Sequence, residues 1–243
     1  MSIENLGPGD FGRGTKKRLP ICFCLDASGS MEGERMDSLN DAIQTFVSIM
    51  KNDSNASAAD IAVVTFGGYV EITKPFASLS KQDIPFIESR SHSLTPMGGG
   101  INAALDLLEL RKVGYKERGI KYYQPWLVLI TDGKPEGDNS AYEIEDAIRR
   151  LNVLERDNKL VVFNIAVGDE VDMNTLARTS MKREAPIRVN EANLKELFQF
   201  LGSSSSSVIN GNGIQLDLPG DDNLDVVDVL PEGVEIDLDK WCL

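Results

Sequence analysis

Leu19-Pro20-Ile21-Cys22-Phe23-Cys24-Leu25-Asp26-Ala27-Ser28-Gly29-Ser30 is the stretch around which the chain is organised. Ile21 to Leu25 form a continuous apolar run, the pattern of a strand buried on both faces, and the run stops at an aspartate followed by two hydroxyls around a glycine. A buried strand that ends in one carboxylate and two small hydroxyls on a tight turn offers the oxygen-only surroundings that hard divalent cations such as Mg2+ prefer. Taken alone, the Asp-x-Ser-x-Ser spacing is equally that of an ordinary loop, because Asp and Ser also satisfy their own backbone in turns.

Two further stretches change that weighting. Trp126-Leu-Val-Leu-Ile-Thr131-Asp132-Gly133 is a second apolar strand ending in an aspartate, and Leu94-Thr95-Pro-Met97-Gly98-Gly-Gly100 is a hydroxyl-bearing loop that leads into a helix. Asp-x-Ser-x-Ser, then a loop threonine, then strand-Thr-Asp-Gly resembles the metal-ion-dependent adhesion site (MIDAS) of von Willebrand factor A (VWA) domains, over about residues 19–208. The resemblance implies that Ser28, Ser30 and Thr95 bind a metal through their hydroxyls, with Asp26 and Asp132 assisting directly or through water. All five positions match. It further implies Mg2+, with Mn2+ or Ca2+ as alternatives, and a protein partner that supplies an Asp or Glu side chain to the metal. Within the family, Lys17-Arg-Leu-Pro-Ile-Cys-Phe-Cys-Leu-Asp-Ala-Ser-Gly-Ser-Met31 and the serine-rich end of the last helix resemble bacterial TerY-type proteins. That implies an adaptor in a tellurium-resistance or stress-response system linked to a protein kinase and a protein phosphatase.

The composition bounds the alternatives. Thirty-eight acidic against 25 basic residues give a net charge of −13, which opposes binding to a phosphate backbone, so nucleic acid is not an expected partner. No apolar run approaches the ~20 residues of a membrane span, and no apolar segment of a secretory signal follows the start of the chain. Cys22 and Cys24 stand two apart on a strand, about 6.5–7 Å between Cα atoms and at the limit for a disulfide. They read as buried free thiols, which favours a cytoplasmic location.

Apolar residues recur at helical spacing over about 34–51, from near Gly98 onward, around Ile144 to Leu154 and from about Asn193; a shorter helix is expected at Met173 to Arg178. Between them lie apolar runs at Asp60 to Phe66, Trp126 to Thr131, Leu160 to Val167 and Ile187 to Val189. Gly67-Gly68 marks a hairpin into Tyr69 to Thr73. This alternation predicts an α/β fold: an open, mostly parallel, doubly wound Rossmann-like sheet with one antiparallel edge strand and helices on both faces. The expected layout is a flexible N-terminal segment (1–18), a VWA domain (19–208) and an acidic C-terminal tail (209–243). Residues 214–243 carry nine acidic side chains against one lysine, with alternating apolar residues around Pro219-Gly220 and Pro231 to Gly233. Strands added at a sheet edge and a solvated tail are both open readings, and its carboxylates are also candidates to cap the metal site. The run Ser203 to Ser207 reads as a linker, as phosphorylation sites or, preferred here, as small residues that let the helix end pack tightly on the sheet.

Catalysis is not expected. The only histidine, His92, lies in a polar loop without an oxyanion-hole motif, and the glycines at 98–100 lack the Lys-Ser/Thr of a phosphate-binding loop. The rival enzyme reading is a Mg2+-dependent phosphotransferase or receiver-like domain with Asp26 as nucleophile, but position 28 is a serine where a second carboxylate would stand. Met31, Glu32, Arg35, Tyr69, Met97, Lys134 and Glu136 are candidate rim residues for partner choice, or ordinary surface.

Overall fold

In the computed structural model, which describes residues 16–53, 58–137, 140–182, 186–211 and 234–235, the apolar run at residues 21–25 lies in the middle of the sheet. It belongs to β1 (Leu19–Asp26), flanked on one side by β2 (Ala59–Gly67) and β3 (Tyr69–Ser78). On the other side follow β4 (Trp126–Thr131), β5 (Val161–Val167) and β6 (Ile187–Val189). The order is β3-β2-β1-β4-β5-β6, with every neighbouring pair parallel except the β2–β3 hairpin. The expected antiparallel edge strand is thus β3. A two-residue strand of the tail, β7 (Val234–Glu235), adds antiparallel to β6 at the opposite edge, opposing Arg188 and Val189. At these two positions the tail is therefore an added strand. The remaining expectations for the tail and those for residues 1–15 fall outside the described residues.

Strand alternation sends side chains to two separate cores. Ile21, Phe23 and Leu25 face α1 (Glu34–Asn52) and α5 (Leu194–Ile209), where the Phe23 ring meets Phe46 edge-on at 5.3 Å and stacks on Phe198 at 5.8 Å. Cys22 and Cys24 face the other way, toward α2 (Met97–Glu117), α3 (Ser140–Arg156) and α4 (Met173–Arg178). Both cysteines are buried free thiols, and burial pushes them well above the ordinary thiol range, which makes them inert. Among the described residues no helix is long and apolar enough to cross a membrane.

Several local expectations change. The serine run is the last part of α5, but its end packs on α1 rather than on the sheet. Ser206 contacts the Met50 sulfur, and a Cβ on Gly202 would sit 3.1 Å from Ile49. Gly98 and Gly100 let α2 approach its neighbours closely: a Cβ at Gly98 would lie 2.4 Å from the Ile144 nitrogen, and one at Gly100 would lie 2.6 Å from the Phe66 ring. Met31 and Met97 are core residues rather than rim. Arg18, assigned by sequence to the flexible segment, is buried and paired with Asp60 at the foot of the sheet.

The chain turns outward from β1 in two directions, through β2 and β3 on one side and through β4 to β6 on the other. In open α/β sheets a crevice forms at the carboxyl ends of the strands where the order reverses. Here that switch point lies between β1 and β4, the two strands that lead to Asp26 and Asp132.

Candidate metal centre

Asp26 is the last residue of β1 and Thr131 the last of β4; the strands pair up to Leu25 opposite Ile130, which sets these two end residues side by side. The Thr131 hydroxyl donates to Asp26 Oδ2 at 2.6 Å, and the Ser28 backbone N–H donates to Asp26 Oδ1 at 2.9 Å. One turn further, Ser28 Oγ and Ser30 Oγ are 3.1 Å apart, and Ser30 Oγ donates to Asp132 Oδ1 at 2.7 Å. Thr95 enters from the loop before α2. Its Oγ1 and Ser30 Oγ both lie 3.9 Å from where a Cβ on Gly133 would point. Glycine at 133 thus leaves open a space bordered by the Ser30 and Thr95 hydroxyls.

Backbone contacts hold these loops together. Ala27 N–H donates to the Phe66 carbonyl at 2.7 Å, Arg90 N–H to the Ala27 carbonyl at 2.8 Å, and Glu136 N–H to the Thr95 carbonyl at 2.8 Å. The five residues singled out from sequence are therefore gathered at one place. The donor set is all oxygen, and its chemistry suits a hard divalent cation.

Asp26 and Asp132 are 0% and 1% exposed. Burial raises the Asp26 pKa from 3.8 to about 6, against hydrogen bonds from Ser28 and Thr131 that lower it, and the neighbouring Asp132 charge pushes it up further. No lysine or arginine pairs with Asp26 among the described residues. Asp132 does have a cation, since Arg35 Nη1 donates to its Oδ2 at 2.7 Å while Arg35 Nε donates to Glu191 Oε1 at 2.8 Å.

In metal-free protein the ionised Asp26 opposes folding. Its contribution to stability is full below 3.8, the ordinary value, and is lost as pH rises through about 6. Asp26→Asn should therefore raise the unfolding free energy in EDTA at pH 7.5 by up to about 3 kcal/mol, and by roughly half that at pH 5. Urea titrations at the two pH values check this. A loss of stability at pH 7.5 would mean that the two hydrogen bonds to the carboxylate outweigh its burial.

Of the candidate rim residues, Tyr69 is 59% exposed with the Arg90 guanidinium 3.9 Å from its ring centre, and Glu32, Lys134 and Glu136 are exposed. Arg35 is bound into the site itself. His92 is exposed in its loop, at positive φ. Sequence reading missed Thr131 as a support of Asp26, although its place directly before Asp132 at the end of an apolar run was the available signal.

Comparison with known proteins gives three findings. A family model described as the von Willebrand factor type A domain matches residues 21–200. The magnesium-chelatase 67 kDa subunit of Heliobacterium mobile is 30% identical over 114 residues, covering 47% of this chain but only 16% of that protein, so the chain spans less than a fifth of that relative's length. Among solved structures, a von Willebrand factor type A protein from Catenulispora acidiphila superposes with a TM-score of 0.58 at 15% identity, covering 79% of this chain and 43% of that one. The vWF domain of the type V pili tip protein Mfa5 from Porphyromonas gingivalis gives a TM-score of 0.54 at 14% identity, covering 86% of this chain and 99% of that one.

Proposed function

Because the chain belongs to the von Willebrand factor type A family, we propose that it is a non-catalytic protein–protein interaction module whose contact depends on a divalent metal held by Asp26, Ser28, Ser30, Thr95 and Asp132. The observation that carries this reading is the buried Asp26 carboxylate, without a paired cation among the described residues, next to converging hydroxyls and a second carboxylate. A bound Mg2+, Mn2+ or Ca2+ would supply positive charge with a coordination position left for an outside ligand. Three of the five donors are neutral hydroxyls, so they do not cancel that charge. A partner's Asp or Glu is the ligand such a site takes, and Tyr69 with Glu32, Lys134 and Glu136 lies on exposed surface around it.

The rival reading, a phosphoacceptor at Asp26, is disfavoured by the same geometry. Both Asp26 oxygens accept hydrogen bonds from within the fold and the residue is fully buried, whereas a nucleophile must reach its substrate. We place the module in the cytoplasm, as an adaptor in a tellurium-resistance or stress-response system linked to a protein kinase and a protein phosphatase. The TerY-like stretch at residues 17–31 and the buried free thiols support this finer assignment. We likewise assign residues 1–18 and 209–243 as appendages of a 19–208 domain, with Arg18 anchoring the first of them.

Pull-downs from a bacterial lysate, with Mg2+ and with EDTA, test the proposal. A partner retained only with Mg2+, and lost in Asp26→Ala, is expected. Retention of the same partner in EDTA would overturn the metal-dependent reading.

A further inference from the structure

Arg35 places a second cation inside the same site, and we propose that it acts on metal and ligand in opposite directions: it weakens binding of the metal and strengthens capture of a carboxylate by the metal-loaded protein. This rests on the metal-binding reading above and adds to it a residue that sets the strength of both steps.

The guanidinium is built into its position. Arg35 leaves the first turn of α1, and its Nη1 donates to Asp132 Oδ2 at 2.7 Å and toward the Ser30 carbonyl at 3.4 Å. From the other side Nε is held by Glu191 Oε1 at 2.8 Å, in the turn before α5. Gly168, at φ +78°, leaves room for it, since a Cβ there would come within 3.1 Å of Nη2. With Gly168, Asp169, Glu170, Arg188 and Glu191, Arg35 also lines a cleft of about 570 Å3, so its guanidinium is open to solvent on that side.

The charges then decide the direction. Asp26 and Asp132 bring two negative charges, which a divalent cation alone would neutralise. Arg35, directly on Asp132, raises the total by one. Its partner Glu191 is held at Nε, away from Asp132, with a side chain as exposed as that of Arg35, and its charge offsets part of the cation whether or not metal is bound. An incoming metal therefore meets a neighbouring positive charge already sharing Asp132. The loaded site is in turn one charge more positive toward an incoming carboxylate than the same site without Arg35 would be. A unit charge at this range and partial exposure corresponds to roughly a tenfold change in affinity.

If Arg35 served only to hold Asp132 in place, its removal would weaken metal binding. The proposal requires the reverse. Mn2+ affinity by calorimetry, and acetate affinity of the Mn2+-loaded protein by water-proton relaxation, are to be compared in the wild type, Arg35→Gln and Arg35→Lys. The expected result is Mn2+ binding about tenfold tighter and acetate binding weaker by a similar factor in Arg35→Gln, with Arg35→Lys close to wild type because the charge remains. Unchanged or weaker Mn2+ binding in Arg35→Gln, or unchanged acetate binding, overturns this proposal while leaving the metal site standing. Absence of Mn2+ binding in wild type and Arg35→Gln alike overturns the metal-binding reading itself.

Discussion

Asp60→Ala is expected to lose about 3–5 kcal/mol of folding stability, a large part of the 5–15 kcal/mol typical of a domain. Asp60 opens β2 at the foot of the sheet and is 0% exposed. Its carboxylate accepts from Arg18 Nε at 3.2 Å and from Arg18 Nη2, from Arg111 Nη2 at 2.7 Å, and from the Tyr115 hydroxyl. Arg18 and Arg111 are themselves buried, so alanine at 60 leaves two guanidiniums in the interior without the carboxylate they share. That is the situation in which breaking a buried pair is far more destabilising than never having built it. Urea unfolding of Asp60→Ala measures the loss, and a change within about 1 kcal/mol would show that the cluster contributes little. The cluster lies at the opposite end of the strands from Asp26, so whatever fraction of the variant stays folded should bind metal with wild-type affinity.

That cluster also marks where sequence stopped being legible. The strands were readable because each is a short apolar run bounded by turn residues, and the oxygen site was readable because its parts stand at strand and loop ends in a recognisable order. Asp60 carried no such signal. Its partners stand 42, 51 and 55 residues away, and Arg18 closes the stretch that sequence assigns to a flexible N-terminal segment. Helix spacing alone puts Arg35 on the rim, because it does not show that α1 starts beside the end of β4. Met31 and Met97 were misplaced for a related reason. Each stands among polar or loop residues, yet a short 3-10 turn at Gly29–Met31 returns the first to the core, and the second opens a helix that packs on the sheet. The serine run defeated compositional habit because serine is small enough to let two helices approach, and Ser205 satisfies its hydroxyl on the Leu201 carbonyl at 2.8 Å.

The other large effect is on the metal site. Asp26 is held by Thr131 and by the Ser28 backbone, and its charge has no paired cation among the described residues, so the proposed divalent ion would offset it. Removing the carboxylate should eliminate metal binding, while the alternating cores on both faces of the sheet, which do not depend on it, keep the domain folded. Ser28→Ala should act in the same direction through the loss of a neutral donor, and Asp26→Asn, which keeps the side-chain volume, guards against reading a folding defect as a binding defect.

Isothermal titration of Mg2+ and Mn2+ into wild type, Asp26→Ala, Asp26→Asn and Ser28→Ala at pH 7.5 is the most direct test. The expected result is a single site of roughly micromolar to millimolar affinity in wild type and no measurable binding in the three variants, each still folded. Metal binding that persists unchanged in Asp26→Ala and Asp26→Asn would contradict the assignment and place the ion elsewhere.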